Sequence, residues 1–420
     1  MIHTTELIPG VFLRSYTDTR FKQGSVSLQL VRPMCKEEAA INALIPAVLL
    51  RGCRSCPDLR AITLRLDDLY GAGVGAIARR VGDYQTTGLS CSFMDEKYAM
   101  PGDRTLEPML EFLGELLFEP LTENGMFCEE FVEGEKRNLL SAIEAQRNDK
   151  RLYASQKLLS HMCKNDTLSI PRLGTAEAVS AITAQSAWAH YRHILKVSPI
   201  EIFYVGSASH GQVAQLVLPL VAHLERDYTP LPAQKDFQTC PGGSFSEALD
   251  ISQGKLAMGF TSPITLRDPR FPIMQVCNTI FGSSMTGKLF AVIREKMSLC
   301  YDISSGYQGS KGIITVGAGI DFDKEEAVRQ EVLHQLQLCA DGEITDRELE
   351  NAKCAIISQL KTIHDSPSAI ESYYGTACLT GLALTPQAYM EAVAQVTREQ
   401  VAQAAQTLQL HTVFFLKGVQ

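Results

Sequence analysis

The two halves of this 420-residue sequence repeat the same order of predicted elements, and this repeat limits the folds open to the chain. A predicted strand over residues 25–32 has a counterpart over 256–262, and each is followed directly by a proline, at an offset of 230 residues. Residues 135–149 overlay 351–365 at an offset of 216, and both segments end in Asp after a polar run. Strands and helices come in groups rather than in strict alternation, which favours α+β over a doubly wound sheet. The sequence therefore predicts two duplicated α+β domains.

The two repeats meet in a segment whose composition differs from its surroundings. Residues 228–244 hold three prolines and two glycines, which interrupt helices and strands. The sequence therefore predicts an N-terminal α+β domain over residues 1–228, a Pro/Gly linker over 229–244 and a C-terminal α+β domain over 245–420. In each domain we expect a mixed β-sheet packed by helices.

Charge, hydropathy and cysteine usage exclude several classes of protein. The formal net charge is −8 and the basic residues form no block, which argues against a nucleic-acid partner. The longest mostly apolar run, residues 39–50, is too short to cross a bilayer, and residues 1–10 lack the pattern of a signal peptide. Twelve cysteines without framework spacing are typical of reduced thiols. We therefore expect a cytoplasmic protein with neither nucleic acid nor membrane as a partner.

A glycine-rich loop before residue 288 resembles part of a phosphate-binding loop but lacks two of its requirements. Lys288 is followed by Leu289 in place of the Ser or Thr that would hold magnesium, and the residues before the loop have helical spacing rather than strand spacing. Backbone N–H groups ahead of a helix can instead hold a carboxylate or a peptide backbone. The candidate contacts in this loop are Gly282, Ser283, Ser284 and Gly287.

Three pairs of His and Cys have spacings that suggest a metal site, but packing explains each of them better. The pairs are Cys53 with Cys56, His190 with His193, and His161 with Cys163. The first lacks the second C-x-x-C of a tetrahedral zinc site. The second has no acidic or third ligand beside it, and the members of the third are two residues apart, which does not place them on one helix face. These residues predict no metal site.

Arg294 and Tyr301 form the strongest candidate pair for binding a ligand. Arg294 closes a predicted helix and Tyr301 opens a predicted strand seven residues later, so their side chains can converge across a short turn. A guanidinium offers a planar fork to a carboxylate or to peptide carbonyls, and a phenol adds a hydroxyl on an apolar ring. Spacing alone leaves the alternative open that Arg294 caps its own helix and Tyr301 fills the core.

Residues 281–301 carry the run F-G-(x)6-L-F-x-x-I-R-E-K-x-S-L-x-Y, which resembles the C-terminal domain of the M16 family of insulinase-like zinc peptidases. The sequence IPRLGT at residues 170–175, followed by residues 178–183, is similar to the P-x-x-G-T stretch that precedes an I-T helix in that family. The resemblance covers essentially the whole chain and is greatest to the short bacterial YfmF (YmfF) group. It implies the fold of the family, two duplicated α+β domains joined by a linker.

Active M16 peptidases carry H-x-x-E-H on their first long helix, where two His bind zinc and the Glu acts as general base. The resemblance, aligned on residues 50–53, places Ala43, Pro46 and Ala47 at these three positions, and Ala142 at the position of the third zinc ligand on a later helix. Methyl groups and a proline ring cannot bind zinc or accept a proton. The resemblance therefore implies a chain without catalytic residues, metal or cofactor, inactive by itself.

Neighbouring residues agree with this loss of the zinc motif. Glu135 is retained where the family has a supporting acid, but a lone carboxylate does not hold a metal usefully. A shift of register does not restore the site, because no histidine lies between His3 and His161. A peptidase with zinc ligands elsewhere in the chain stays a remote alternative.

In heteromeric M16 peptidases, one subunit carries the zinc motif and its partner presents an Arg/Tyr pair or a glycine-rich loop to the substrate. The resemblance thus implies that this chain is the non-catalytic subunit, holding a peptide through Arg294, Tyr301 and the loop at 282–287 for a zinc-bearing paralogue with an intact H-x-x-E-H. The chain alone can form a homodimer. The alternative is a pseudoenzyme that binds or scaffolds another protein in the modification of elongation factor P, with no peptidase step.

Overall fold

A computed structural model describes residues 2–419 and divides the chain into two compact units, each assembled from separate segments. Unit 1 contains residues 1–144, 170–234 and 364–379. Unit 2 contains residues 145–169, 235–363 and 380–420. The segment predicted as a linker, 229–244, holds no helix, and a strand begins at its end with Gly243. The domain boundaries predicted from composition stay a prediction.

The described residues form thirteen strands. They are β1 (Ile2–Ile8), β2 (Val11–Thr17), β3 (Gln23–Pro33), β4 (Gly73–Val81), β5 (Tyr84–Met94), β6 (Thr122–Glu123), β7 (Met126–Phe127), β8 (Ile200–Gly206), β9 (Gly243–Leu249), β10 (Gly254–Thr261), β11 (Asp302–Gln308), β12 (Ile313–Ile320) and β13 (Gln409–Gly418).

Residues 2–419 also form fourteen α-helices and two π-helical segments. The α-helices are α1 (Lys36–Leu49), α2 (Leu59–Asp68), α3 (Leu106–Phe118), α4 (Glu129–Asn148), α5 (Lys150–Met162), α6 (Ala176–Ser180), α7 (Ala184–Val197), α8 (His210–Val221), α9 (Phe271–Asn278), α10 (Glu325–Ala340), α11 (Asp346–Thr362), α12 (Pro367–Thr380), α13 (Pro386–Ala394) and α14 (Arg398–Gln406). The π-helical segments are Thr279–Ser283 and Leu289–Lys296. No helix in the described part of the chain combines the length and the apolar character that a membrane span requires.

Several helix starts follow directly from local sequence. In a capping box, a Ser or Thr accepts a hydrogen bond from the backbone N–H three residues on, and the side chain at that position reaches back to the backbone N–H of the cap. Each such box satisfies two N–H groups that the helix itself leaves without partners. The boxes are Thr183/Ser186 at α7, Ser209/Gln212 at α8, Thr345/Glu348 at α11 and Thr397/Gln400 at α14.

Unit 1 is built on a six-stranded mixed sheet in the order β1-β2-β8-β3-β5-β4. The pair β2–β8 is parallel and the other neighbours are antiparallel. Because side chains alternate along a strand, Val26, Leu28 and Leu30 of β3 all point to one face. There they join the buried apolar core with residues of α1, α3, α7 and α8. This face therefore supplies the hydrophobic stabilisation of unit 1.

The opposite face of this sheet is polar and carries α12. Ser27 and Gln29 of β3 point to it, and both donate hydrogen bonds to the buried carboxylate of Glu371 on α12, at 3.2 and 2.7 Å. Arg79 of β4 donates to both oxygens of the same carboxylate, at 3.1 and 2.9 Å. A helix from the C-terminal half of the chain thus completes unit 1 through a satisfied buried acid.

Unit 2 repeats the topology of unit 1 in five strands, ordered β11-β12-β10-β13-β9. The pair β13–β9 is parallel and takes the place of β8–β2, while β10, β12 and β11 are antiparallel like β3, β5 and β4. Helix α5 covers this sheet, and its Ala154 and Leu158 pack in one apolar cluster with Ala257 and Phe414. The predicted α+β class and the duplication are therefore confirmed.

Hydrophobic spacing predicts a helix over residues 271–281, and the structure differs from this prediction only in the last three residues. The α-helix ends at Asn278, and a π-helical turn over Thr279–Ser283 follows. The Thr279 hydroxyl donates to the carbonyl oxygen of Gln275 at 2.8 Å, and buried Gly282 lies so close to Leu289 that a Cβ atom would be 2.5 Å from its Cδ1. A side-chain hydrogen bond and a close approach at a glycine are local features that hydrophobic spacing does not reveal.

Candidate functional site

The positions that resemble an M16 zinc site lie on two neighbouring helices of unit 1. Ala43, Pro46 and Ala47 are all on α1, with the first two buried and Pro46 inside the helix. Ala142 lies on α4 and is exposed. These four side chains offer no oxygen, nitrogen or sulfur atom, so the residues at these positions do not fit a zinc ion. Within residues 2–419, no group of three or more His, Cys, Asp and Glu side chains is arranged to hold a metal.

Glu135, the acid retained on α4, has a cation beside it. Its Oε1 lies 3.1 Å from Nη1 of Arg51, and its Oε2 accepts a hydrogen bond from Asn138 at 3.0 Å. The Arg51 guanidinium also lies over the ring of Phe131, 5.5 Å from its centroid. The Glu135 side chain is only 10% exposed, so this ion pair supplies the positive charge that a buried carboxylate requires. A divalent cation beside Glu135 would be repelled by Arg51.

On its other side, α1 is fixed by a buried polar network instead of a metal. The Asn42 side chain donates to Oε1 of Gln85 at 3.1 Å and accepts from Nε2 of His190 at 2.8 Å. Thr87 donates to the carbonyl oxygen of Asn42 at 2.6 Å. Because the Asn42 amide nitrogen is already a donor to Gln85, its oxygen is the acceptor, and His190 is neutral with its proton on Nε2.

This network makes the stability of the protein dependent on pH. Burial lowers the pKa of His190 to about 4, although Glu38 opposes the shift; Arg32 and His193 also act to lower it. As pH falls below about 6.5, His190 takes up a proton in the unfolded chain but stays neutral in the folded chain. The free energy of unfolding therefore decreases down to about pH 4. We expect this histidine to account for a loss of about 2–3 kcal/mol between pH 7 and pH 4.

The variant His190→Gln separates this effect from the titration of carboxylates. A Gln amide can donate to Asn42 and does not titrate, so the stability difference between wild type and variant should shrink as pH falls. Urea unfolding at pH 7 and pH 4.5 measures both differences. Equal differences at the two pH values would show that His190 has no part in the acid sensitivity.

The other His and Cys pairs also have structural roles. Cys53 and Cys56 are buried in a turn closed by a 2.8 Å hydrogen bond from the Cys53 N–H to the Cys56 carbonyl oxygen. Burial raises the pKa of the Cys53 thiol to about 11, so it is not a reactive thiolate at neutral pH. The His161 ring is stacked on Phe245 with centroids 4.0 Å apart. The prediction that these residues pack rather than bind a metal is in line with each of these contacts.

The glycine-rich loop lies in unit 2 between the two π-helical segments. Gly282 and Gly287 are buried, and the hydroxyls of Ser283 and Ser284 donate to Oγ1 and the carbonyl oxygen of Thr279, at 3.4 and 3.3 Å. A Cβ atom at Gly287 would lie 3.1 Å from the Gly282 Cα and from two carbonyl oxygens. The glycines therefore serve a tightly closed turn, while Ser283 at its tip is exposed.

Lys288 shows directly that this loop is not a phosphate-binding loop. Its ammonium group is 2.9 Å from Oε1 of Glu348 on α11, and the Lys288 side chain is only 10% exposed. The segment that precedes the loop is α9 and a π-helical turn, whereas a phosphate-binding loop follows a strand. The lysine thus anchors the loop to α11 and is already neutralised.

Arg294 lies on the π-helical segment Leu289–Lys296 in an accessible position. Its side chain is 40% exposed, and within the described residues its one acidic neighbour inside 4 Å is Glu295, at 3.7 Å. The guanidinium lies over the ring of Phe290, with its carbon 4.6 Å from the centroid. Phe290 thus orients the guanidinium by a cation–π contact and leaves its hydrogen-bond donors available. Sequence analysis missed Phe290, although it is four residues before Arg294.

Tyr301 precedes β11 and is 58% exposed, so it does not fill the core. Its hydroxyl donates to Oδ1 of Asp321 at 2.8 Å, and this hydrogen bond raises the pKa of the phenol. A hydroxyl that donates to a carboxylate keeps its own oxygen free to accept, for example from a peptide N–H. Tyr301 can therefore contact a peptide backbone as an acceptor.

The predicted substrate contacts all belong to unit 2. Both π-helical segments pack against β11, and the Ser305 hydroxyl of that strand donates to Oδ1 of Asn278 at 2.8 Å. π-Helical segments are rare and are often found at functional sites. Met285, in the loop between these segments, and Met297, directly after the second one, also have exposed side chains. These two methionines were not predicted, and their sequence carries no periodic signal that could have shown them.

Comparison with known proteins finds similarity to one protein family and to one fold. Residues 181–356 match the family described as "Peptidase M16 inactive domain". The probable inactive metalloprotease YmfF of Bacillus subtilis (strain 168) is 28% identical over 401 residues, which cover 96% of this chain and 94% of that protein.

Two solved structures superimpose over the full chain. A conserved protein from Enterococcus faecalis V583 gives a TM-score of 0.92 at 25% identity, covering 100% of this chain and 99% of that one. A peptidase M16 inactive domain from Pseudomonas fluorescens gives a TM-score of 0.82 at 17% identity, covering 100% and 98%. At this lower identity the likeness concerns the fold alone.

Proposed function

This chain is a relative of the M16 peptidases, and we propose that it is the non-catalytic subunit of a heteromeric M16-type metallopeptidase. The resemblance to this family predicted from residues 281–301 is confirmed by the matched inactive domain and by the similarity to YmfF. In this proposal, the chain binds and positions a peptide for a zinc-bearing partner subunit. The partner supplies the zinc and the general base.

The observation that carries the proposal is the replacement of the whole zinc motif. Ala43, Pro46 and Ala47 leave α1 without a ligand or a base, and Arg51 neutralises the one acid that remains, Glu135. Restoring peptidase chemistry would require several simultaneous substitutions. Bond cleavage must therefore come from another chain if this one takes part in proteolysis.

In this proposal, exposed residues of unit 2 position the peptide. Arg294 offers unengaged donors to a peptide carbonyl or carboxylate, and the Tyr301 oxygen can accept from a peptide N–H. Ser283, in the glycine-rich loop of the same unit, is also exposed. Holding a peptide in a reactive geometry accelerates cleavage without any chemistry by the holding residues.

We place this activity in the cytoplasm, since all twelve cysteines are free thiols. An oxidising compartment would favour disulfide bonds among so many cysteines. The proposed partner is a zinc-bearing paralogue with an intact H-x-x-E-H motif.

Reconstitution tests the proposal. The chain and a zinc-bearing paralogue from the same organism are expected to co-purify as a complex, and a fluorogenic peptide library should be cleaved by the mixture about 100-fold faster than by either chain alone. The paralogue with Gln in place of its motif Glu serves as the inactive control.

Two results would contradict this function. Cleavage by the paralogue that does not change when this chain is added would favour a scaffold without a peptidase step. One equivalent of zinc in the purified chain, measured by mass spectrometry, would contradict the non-catalytic assignment itself.

A further inference from the structure

Unit 2 contains a cavity of about 240 Å³ beside α5, called here the α5 cavity. Its walls come from α5, β10, β11 and β12, and all the residues that line it belong to unit 2. Arg294, Tyr301 and the glycine-rich loop do not line it. The α5 cavity is therefore separate in its residues from the proposed peptide contacts.

Strand register explains which residues form the floor of the α5 cavity. The Ser305 side chain points away from α5, because its hydroxyl donates to Asn278, so the neighbouring Ser304 points towards α5. Ser304 pairs with Gly317 of β12, which pairs in turn with Ala257 of β10. These three residues form a row across the sheet, and all of them line the cavity.

Gly317 leaves open space in the middle of this row. A Cβ atom at Gly317 would have no heavy atom within 4 Å beyond its own chain neighbours. Glycine inside a strand weakens the strand, and it often marks a place where a ligand or another backbone approaches closely. A ligand can therefore reach the backbone of β12 at this point.

Arg151 of α5 supplies a positive charge with available donors. Its side chain is exposed, and one terminal nitrogen of its guanidinium donates to the Ser304 hydroxyl at 2.7 Å. Asp149, the acid nearest in the sequence, accepts from the backbone N–H of Arg151 instead. A guanidinium has five N–H donors, and Ser304 is its one hydrogen-bond partner among residues 2–419. Most of these donors are therefore available to a ligand.

Lys255 of β10 is the second cation in the lining. Its ammonium group donates to Oε1 of Gln253, and a Cβ atom at Gly319 would lie 3.0 Å from this ammonium and 2.8 Å from Oδ2 of Asp302. Asp302 thus offsets part of the Lys255 charge but does not itself line the cavity. The lining holds two cations and no acid, so its potential is positive.

Two further hydroxyls of the lining are available to a ligand. Ser155 of α5 and Thr315 of β12 are half-buried, and neither hydroxyl forms a hydrogen bond with another residue in the described part of the chain. Neither oxygen is among the fully enclosed polar atoms without a partner, so a molecule in the cavity can reach both. Each hydroxyl can donate one hydrogen bond to an anion.

We infer that the α5 cavity binds a phosphate group, either as inorganic phosphate or on a small ester. A guanidinium, an ammonium and separate hydroxyls offer donors from several directions, which suits the oxygens of a tetrahedral dianion better than a planar carboxylate. The volume is below the roughly 300–1,000 Å³ of sites for drug-sized ligands, so the ester carries only a short carbon body. This inference does not depend on the proposed peptidase function.

Calorimetric titration of the full chain at low salt and pH 8 tests the inference with matched probes. Glycerol 3-phosphate is expected to bind with a Kd below about 1 mM, and glycerol, which lacks the phosphate, at least about tenfold more weakly. Inorganic phosphate distinguishes the two sources of the group. Equal Kd values for phosphate and the ester would support recognition of the phosphate group alone, and tighter binding of the ester would support a site that also holds its carbon body.

Two arginine variants test the role of charge. Arg151→Gln should weaken binding of glycerol 3-phosphate about tenfold, because it removes a charged donor. Arg347→Gln removes an exposed arginine of α11 that does not line the cavity, and should leave the Kd unchanged.

Gly317→Val separates binding from folding. Its side chain enters the open space and β-branched residues favour strands, so the melting temperature of the ligand-free chain should stay the same or rise. The same side chain fills the floor of the cavity, so the Kd for glycerol 3-phosphate should increase at least about tenfold. The inference is overturned if this variant binds like wild type, or if glycerol 3-phosphate does not bind at 10 mM, about ten times the expected Kd. It also fails if glycerol binds as tightly as its phosphate, or if Arg347→Gln weakens binding as much as Arg151→Gln.

Discussion

Asp166→Asn is expected to lower the free energy of unfolding by about 3–5 kcal/mol, because it removes one half of a fully buried ion pair. In unit 2, the Asp166 carboxylate is 3.1 Å from the ammonium group of Lys311, and both side chains are 1% exposed. The carboxylate also accepts from the backbone N–H groups of Leu168 and Gln238, each at 3.1 Å. The neutral amide would take a full negative charge away from the buried Lys311 ammonium group, and burying a charge is costly when its pairing is weakened.

Urea unfolding followed by circular dichroism measures this loss. The matched control is Asp236→Asn, which removes an aspartate that pairs with Arg267 at 2.6 Å but is 86% exposed. That surface pair should contribute about 1 kcal/mol or less. The double variant Asp166→Asn with Lys311→Met removes both charges and should recover part of the loss. A loss of less than about 1 kcal/mol for Asp166→Asn would show that this ion pair contributes no more than a surface pair.

Arg294→Ala is expected to lower kcat/KM of the reconstituted peptidase by about 10–100-fold, the effect of losing a hydrogen bond from a charged donor to the bound peptide. The guanidinium is held on Phe290 and is 40% exposed, so its loss should not change the urea midpoint of the chain. Arg294→Lys keeps the charge without the planar fork and should recover only part of the activity.

Lys296→Ala provides the control for the Arg294 experiment. Lys296 is exposed on the same π-helical segment, so its removal changes the net charge equally. We expect a change in kcat/KM of no more than about twofold, as for a screened surface charge. If both variants lose the same activity, the effect is one of overall charge and Arg294 does not position the peptide.

Much of the fold could be predicted because its determinants are local. The apolar pattern of the sequence predicts a helix over Leu106–Phe118 and a strand over Ile313–Ile320, and α3 and β12 have these bounds. The offset repeat correctly predicted the duplicated sheets. By contrast, β9 begins in the predicted linker, at Gly243, where glycine and serine mask a strand that gains its stability from pairing with β13.

The degenerate zinc positions rest on a missing motif and stay a prediction, whereas no motif encodes the cavity of unit 1 between its sheet and α12. Val31 and Thr86 are far apart in the sequence and meet only through the register of β3 with β5. Helix α12, which lies against the cavity, has no regular apolar stripe and includes Gly375, so hydrophobic spacing does not indicate this helix. Both the cavity and the position of α12 depend on contacts between residues that are distant in the sequence.

Helix α12 also bears on how the protein is made. The sheet of unit 1 receives its Glu371 anchor from residues 364–379, which leave the ribosome only after almost all of the chain has been synthesised. If domains fold in the order of their synthesis, unit 1 can therefore reach its complete form only after most of unit 2 has been made. Until then the polar groups of Ser27, Gln29 and Arg79 on this face lack their shared acceptor.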